Sequence, residues 1–147
     1  MKKEYNSIQG AIGELCARKY LEKKKYKILE QNYKNKLGEI DIIAMDKKTL
    51  VFVEVKTRST LAYGMPSEAV NSRKRQKIRN VAQLYLLKNN LDDTNCRFDV
   101  IEIFDSEINH IQNAFWEGKP SFLLPFMYKT YFLMSIIDQG AKYEKNI

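Results

Sequence analysis

The sequence predicts an α/β fold in which a central mixed sheet is flanked by helices, in the order αβββαβ. Two segments with helical periodicity enclose three β-rich segments, and a fourth β-rich segment follows the second helix. The segments at 39–45 and 50–56 are apolar almost throughout, which is typical of strands covered on both faces. The long connection to the fourth strand leaves room for a parallel return through a helix.

The first helix is predicted over residues 6–25, with Asn6 or Ser7 as its N-cap. One stripe at helical spacing carries large apolar side chains: Ile8, Ile12 and Leu15. A second stripe carries smaller residues around an acid: Gly10, Glu14, Ala17 and Leu21. Small residues let a helix approach a neighbouring element closely.

Residues 26–33 are predicted to form the first strand, and 39–45 and 50–56 a hairpin. If its loop has two or four residues, paired residue numbers sum to 95. Asp41 then lies opposite Glu54, and Glu39 opposite Lys56, all at one end of the hairpin and on one face. A loop of three residues would break this arrangement.

The second half of the chain continues the same architecture. The pattern predicts a loop over 57–71, a helix over 72–89, a strand over 96–104 and a short edge strand over 108–111. We expect one domain over 1–118 and an apolar extension over 119–147.

Composition narrows the function classes. The 147 residues carry a net charge of +7, which favours polyanionic partners. One histidine, His110, and two cysteines, Cys16 and Cys96, cannot supply a four-ligand zinc site or a disulfide scaffold. We interpret both cysteines as small buried residues and His110 as structural, while Asp99 is expected to pair with Arg97 or to join a polar network. No secretory signal is visible at the N-terminus, so a cytoplasmic location is expected.

The carboxylates of the hairpin have two interpretations. Opposed carboxylates repel each other unless a cation lies between them, and oxygen ligands suit Mg²⁺ or Mn²⁺. Such an ion polarises a phosphoryl oxygen and lowers the pKa of bound water, and Lys56 would orient that water or stabilise the transition state. Alternatively, Glu39 and Lys56 form one rung of a surface ion-pair ladder, with Glu54 solvated.

The helix acid Glu14, then Asp41, then Glu54-Val55-Lys56, resembles the E…D…ExK signature of the PD-(D/E)xK nuclease superfamily. The chain most resembles the bacterial YraN-like family of small predicted endonucleases, over about residues 7–116, and archaeal Holliday-junction resolvases have a similar arrangement. The stretches that carry the resemblance are GAIGE at 10–14, Asn32, GEIDIIA at 38–44, FVEVKTR at 52–58, residues 74–86, RFDVI at 97–101 and HIQNAF at 110–115.

This resemblance implies a restriction-endonuclease-like core and a Mg²⁺- or Mn²⁺-dependent endonuclease acting on branched or otherwise structured DNA. It implies metal binding by Asp41 and Glu54, with Glu14 as an additional acid, and makes Lys56 the catalytic lysine. Glu39 and Gln76 are possible additional members of the site. Ile40 stands where the superfamily usually has proline, a position that supplies no ligand. The alternative is a DNA-binding accessory protein that keeps the fold and cleaves little or nothing.

Basic residues near this site are predicted to contact DNA phosphates. They are Arg58, Arg73, Lys74, Arg75, Lys77 and Arg79. The alternative is a solvated helix face.

The C-terminal segment 121–137 contains 12 apolar or aromatic residues in 17. It is shorter than the ~20 residues of a spanning helix, so no stable membrane insertion is expected. We expect it to be helical and to pack on the domain or on a second copy in a homodimer. The alternatives are peripheral membrane attachment and a loosely ordered extension.

Overall fold

The computed structural model describes residues 2–58, 70–91 and 93–115. The elements are α1 (Lys2–Lys23), β1 (Lys27–Asn35), β2 (Gly38–Asp46), β3 (Thr49–Arg58), α2 (Ser72–Lys88), β4 (Cys96–Phe104) and β5 (Glu107–Ile111). This confirms the predicted α/β fold and its order, and it is consistent with a restriction-endonuclease-like core.

The backbone divides into two units, Met1–Trp116 and Glu117–Ile147. The described residues belong to the first unit. The predicted extension over 119–147, with its helix and its packing, lies outside them, as does the middle of the 57–71 loop. Among the described residues, no helix is long and apolar enough to cross a membrane.

The sheet has five strands in the order β1-β2-β3-β4-β5. Only the β3–β4 pairing is parallel, as the long helical connection between them predicts. The other three pairings are antiparallel. Because β3 lies in the middle of this sheet, its side chains contact both helical layers.

The hairpin of β2 and β3 has the predicted register. Its pairs run from Asp46–Thr49 to Ile42–Val53, so each pair of numbers sums to 95. The ladder ends there, and the next two residues in register, Asp41 and Glu54, lie just beyond the last pair. The two central strands therefore separate at the carboxylates.

The sheet separates two apolar cores, which explains why β2 and β3 are apolar on both faces. The core under α2 includes Ile40, Phe52, Ile78, Val81 and Phe98. The core under α1 includes Ala17, Leu21, Ile42, Val53 and Ile101.

Strand β2 departs from regular alternation at Asp41. Ile40 packs under α2 whereas Ile42 packs under α1, although residues two apart in a regular strand share a face. The register of β1 on β2 places Asn32 opposite Asp41, and Asn32 has a left-handed backbone with φ of 50°. Asparagine tolerates this conformation better than most residues. The distortion lies where the two central strands separate.

Helix α1 begins at Lys2, so the prediction of an N-cap at Asn6 or Ser7 is wrong. Glu4 in the first turn has a favourable charge for that end of the helix dipole. The small-residue stripe faces the sheet, with Ala17 and Leu21 fully buried. A Cβ placed on Gly13 would overlap Thr57 Oγ1, so this glycine permits the close approach of α1 to β3.

A buried polar network joins β4, β5 and Tyr26, the residue just before β1. Asp99 is fully buried, and both of its oxygens are bonded: Oδ1 accepts from Arg97 and from the Asn113 backbone, and Oδ2 lies 2.9 Å from His110 Nε2. Arg97 also donates to the Tyr26 hydroxyl at 2.8 Å. The predicted Asp99–Arg97 pair and the structural position of His110 are confirmed.

The two cysteines differ. Cys16 is exposed, so the prediction that it is buried is wrong: it lies on the outer side of α1, away from the sheet. Cys96 is half-buried at the start of β4, and burial raises the pKa of its thiol to about 11. Cys96 is therefore protonated at neutral pH and a poor nucleophile.

The two glycines of α1 give a matched test of this packing. Gly13→Ala should lower the free energy of unfolding by about 1–3 kcal/mol, because the added Cβ meets Thr57. Gly10→Ala adds the same methyl group where no atom lies within 4 Å, and should raise it by about 0.5–1 kcal/mol through helix propensity. Urea denaturation measures both. Equal effects from the two changes would contradict the close approach at Gly13.

Candidate functional site

A cavity of about 530 Å³ lies where β2 and β3 separate, with α1 and α2 contributing to its walls. Its charged lining comprises Glu14, Glu39, Asp41, Glu54, Lys56, Arg58 and Lys74. Polar contributions also come from Tyr5, Asn6, Gln9 and Thr57. The cavity thus brings together the four predicted catalytic residues and two of the predicted DNA-binding residues.

Glu54 is the buried anion of this cavity, with 3% of its side chain exposed. Its Oε1 lies 2.9 Å from Lys56 Nζ, on the same strand, and 3.3 Å from Lys74 Nζ, on α2. The two-residue spacing places Glu54 and Lys56 on one face, as predicted. The interpretation of Glu54 as a solvated member of a surface ladder is therefore wrong, because the two central strands are covered by helices.

Lys74 reaches Glu54 because of how α2 begins. Asn71 caps the helix, with its Oδ1 accepting from the Lys74 backbone at 2.9 Å. No acid occupies the first turn, and cations there are unfavourable at the positive end of a helix dipole. The Glu54 carboxylate compensates part of that unfavourable charge.

Asp41 faces the same cavity and is half-buried. Its Oδ2 accepts a hydrogen bond from the Val55 backbone at 2.7 Å, across the point where the strands separate. Burial, and next the charge of Glu54, raise the pKa of Asp41 from 3.8 to about 6. This value also includes a smaller rise from Glu14 and the lowering by the Val55 hydrogen bond and Lys74. The three acids therefore interact electrostatically.

These residues fit a divalent cation. Glu54 Oε2 is buried and has no hydrogen-bond partner among the described residues, and a cation would satisfy it. No three acidic, histidine or cysteine side chains form a preformed ligand cluster in the described part of the chain. Mg²⁺ needs no such cluster, because it commonly binds one or two carboxylates and keeps several waters. Direct ligation by Glu14 remains a prediction.

The two possible additional residues lie differently. Glu39 lines the cavity but is largely exposed, and it forms an ion pair with Lys34 of β1 at 3.3 Å. The β2–β3 ladder ends before Glu39 would meet Lys56. Gln76 is exposed on α2 and donates to Asn80 at 3.0 Å, so the structure does not bring it into the cavity.

A second cavity, of about 400 Å³, adjoins the first and shares Glu39 and Lys74 with it. Its other walls include Lys34, Lys77 and the turn at Asn35 and Gly38. This turn packs on α2, with Gly38 at φ of 145° and its Cβ position 3.3 Å from Val81. Three lysines therefore converge beside the acidic cavity.

The other predicted DNA-binding residues are arginines, and of these Arg58 lines the first cavity. Arg58 forms an ion pair with Glu102 at 3.0 Å. Arg79 donates to the Phe115 carbonyl at 2.8 Å, and Arg75 donates to the Val70 carbonyl and lies over the Phe115 ring. Arg73 is exposed. Arg75 and Arg79 thus help to hold the end of the described chain against α2.

Sequence reasoning missed several residues of the site. The cavity is also lined by Asn6, Gln9 and Gly10. Gly10 precedes Glu14 by four residues and so lies on the same face of the helix, which made its place in the lining predictable from the sequence. Lys34 required the register of β1 on β2, which places it opposite Glu39. The distortion at Asn32 left no such signal in composition or spacing.

The fold and cavity define an α/β protein with a carboxylate- and lysine-lined site at the separation of two central strands. The model of the uncharacterised protein family UPF0102, the YraN family, matches residues 13–103, and the chain belongs to this family.

Curated relatives cover most of the chain. A UPF0102 protein of Caldanaerobacter subterraneus subsp. tengcongensis is 48% identical over 122 residues, spanning 78% of this chain and 100% of the relative. A UPF0102 protein of Alkaliphilus oremlandii is 58% identical over 75% of this chain and 99% of its own length. A third, from Clostridioides difficile, is 52% identical over 75% and 98%. Each of these three relatives aligns over almost its whole length, whereas about a quarter of this chain has no counterpart in them.

Replacing Asp41 tests the electrostatics of the cavity. Between pH 3.8 and about 6, Asp41 is protonated in a larger fraction of the folded molecules than of the unfolded molecules. The wild type therefore loses stability as pH rises through this window. Asp41→Asn removes this loss, so its melting temperature should exceed that of the wild type above pH 6 and converge with it below pH 3.8.

Calorimetry across this range measures the difference, and Asp93→Asn, at an exposed acid, is the control. Mg²⁺ should raise the melting temperature of the wild type and not that of Asp41→Asn. A constant offset between the two proteins at every pH would contradict the raised pKa.

Proposed function

We propose that this protein is a metal-dependent endonuclease that hydrolyses phosphodiester bonds in DNA, with branched or structured DNA as its substrate class. The observation that carries this proposal is the carboxylate of Glu54. It is buried, one of its oxygens has no partner among the described residues, and Asp41 and Lys56 accompany it in one cavity. The YraN-like resemblance of these same residues supports it.

Asp41 and Glu54 would hold Mg²⁺ or Mn²⁺, with Glu14 as an additional acid. The bound cation would polarise a phosphoryl oxygen and lower the pKa of a coordinated water. The protein keeps the two carboxylates in place through the Val55 hydrogen bond to Asp41 and the enclosure of Glu54. Both carboxylates must be ionised to hold a cation, so protonation of Asp41 below about pH 6 would weaken metal binding.

Lys56 would act as the catalytic lysine. Its Nζ is held 2.9 Å from Glu54, while 35% of the side chain remains exposed to the cavity. An ammonium group held this way can donate to an attacking water or to the charge that develops on the phosphoryl oxygens. Lys74 contributes a second positive charge from α2, 3.3 Å from the same Glu54 oxygen.

The adjoining basic cavity supports a path for the DNA backbone. Lys74 and Glu39 belong to both cavities, so a strand whose phosphate enters the acidic cavity would continue past Lys77 and Lys34. Lysine ammonium groups bind phosphates without reading sequence, which fits a substrate recognised by shape.

A second candidate function is a DNA-binding accessory protein with little or no cleavage. Its support is that Lys56 and Lys74 both contact Glu54 Oε1, so the buried negative charge is balanced without a metal ion. The two functions differ in whether divalent ions bind and whether DNA is cut.

Cleavage assays test the enzyme directly. End-labelled linear, flapped and four-way DNA substrates are incubated with Mg²⁺ or Mn²⁺, and we expect cleavage of the branched forms. Asp41→Ala, Glu54→Gln and Lys56→Ala should each reduce the rate at least about 100-fold. Glu107→Gln, at an exposed acid of β5, is the control. DNA that binds to the protein but stays uncut with either Mg²⁺ or Mn²⁺ would favour the accessory function.

A binding assay tests the path of the backbone. Lys34→Ala and Lys77→Ala should each weaken DNA binding and reduce the slope of log affinity against log salt by about one. Lys88→Ala, an exposed lysine at the other end of α2, should leave the slope unchanged. Fluorescence anisotropy over a salt series measures it, and three equal slopes would place the backbone elsewhere.

A further inference from the structure

Helix α1 has a second apolar face that the sheet does not cover. Tyr5, Ile8, Ile12 and Leu15 are 62%, 53%, 50% and 46% exposed. At 100° per residue these positions lie on the side opposite Ala17 and Leu21, which are fully buried against the sheet. They are the exposed large hydrophobic residues of the described chain. An apolar helix face of this kind marks an interaction surface.

The spacing of this face fits helix-to-helix packing. Steps of three, four and three residues are the a and d positions of a heptad. The same stripe is also symmetric about its own middle, because the numbers of Tyr5 and Leu15, and of Ile8 and Ile12, both sum to 20. An antiparallel copy of α1 therefore presents Leu15 to Tyr5 and Ile12 to Ile8.

Charges beside the stripe favour the same arrangement. Glu4 and Arg18 occupy equivalent heptad positions along one edge, 14 residues apart. In an antiparallel pair, Glu4 of each copy comes beside Arg18 of the other. In a parallel pair, the edges that carry Glu4 and Arg18 lie on opposite sides of the contact, so this attraction between Glu4 and Arg18 would not form.

We propose that two copies of this chain associate through the outer faces of α1, packed antiparallel about a two-fold axis. Such an interface is isologous, the commonest form in homodimers. The occupant of the apolar stripe is then the same stripe on a second copy. Gly10 and Glu14, on the sheet-facing side of the same helix, line the acidic cavity, so the cavity of each copy lies across α1 from the interface.

Sedimentation velocity of the full chain over a series of concentrations tests the dimer. The wild type should shift reversibly from monomer to dimer, and Ile8→Glu combined with Ile12→Glu should weaken association at least about 100-fold through facing like charges. The variant should keep the wild-type melting temperature measured at concentrations where both proteins are monomeric, since both side chains are half exposed. A wild type that stays monomeric would overturn the proposal. A variant that melts at a lower temperature with unchanged mass would instead assign the stripe to contacts within one chain.

A charge exchange tests the antiparallel register. Glu4→Arg alone and Arg18→Glu alone should each weaken association several-fold, and the double variant should restore most of it. The double variant is the matched control, because it carries both changes and keeps the net charge. Additive weakening in the double variant would overturn the antiparallel arrangement.

Discussion

The buried carboxylate of Glu54 is the constraint on which the site depends. It lies on a central strand with 3% of its side chain exposed, and lysines from two elements contact one of its oxygens. Leaving such a charge without compensation costs about 3–5 kcal/mol. The first turns of α2 must therefore dock over the end of β3, even though their cations are unfavourable at that end of the helix. The usual preference for acids at a helix N-terminus is not met in α2, and the tertiary contact with Glu54 compensates for this. Such an exception is typical of functional sites.

The separation of β2 from β3 places the second carboxylate. Pairing stops at Ile42 and Val53, and Asp41 uses its side chain to accept the Val55 backbone hydrogen bond. At this position burial, and next the charge of nearby Glu54, raise the pKa of Asp41 to about 6, although the Val55 hydrogen bond itself lowers it. The arrangement costs stability when both acids are ionised, so it needs a reason beyond folding. The divalent cation that we propose between the strands would be such a reason.

A second buried acid shows what a structural carboxylate looks like in this chain. Asp99 is fully buried, and each of its oxygens has bonded partners, from Arg97, His110 and the Asn113 backbone. Glu54 differs because Oε2 has no partner among the described residues. Both acids are equally plain in the sequence as acids within apolar strands. Both oxygens of Asp99 have hydrogen-bond partners, whereas only one oxygen of Glu54 has a partner among the described residues. This difference separates the structural network of Asp99 from the candidate binding site at Glu54.

The sequence alone determined the order of elements and the hairpin register that gathers Asp41, Glu54 and Lys56, because periodicity and a short turn are local properties. Glu14 was assigned to this site through the family resemblance. Tertiary structure decided which stripe of α1 is buried, because Gly13 permits contact with Thr57 on one face only. It also decided that Arg75 and Arg79 hold Phe115, and that Lys34 joins Lys74 and Lys77 in one cavity. These contacts join residues distant in the chain, and neither spacing nor composition records which of several basic residues meets which partner.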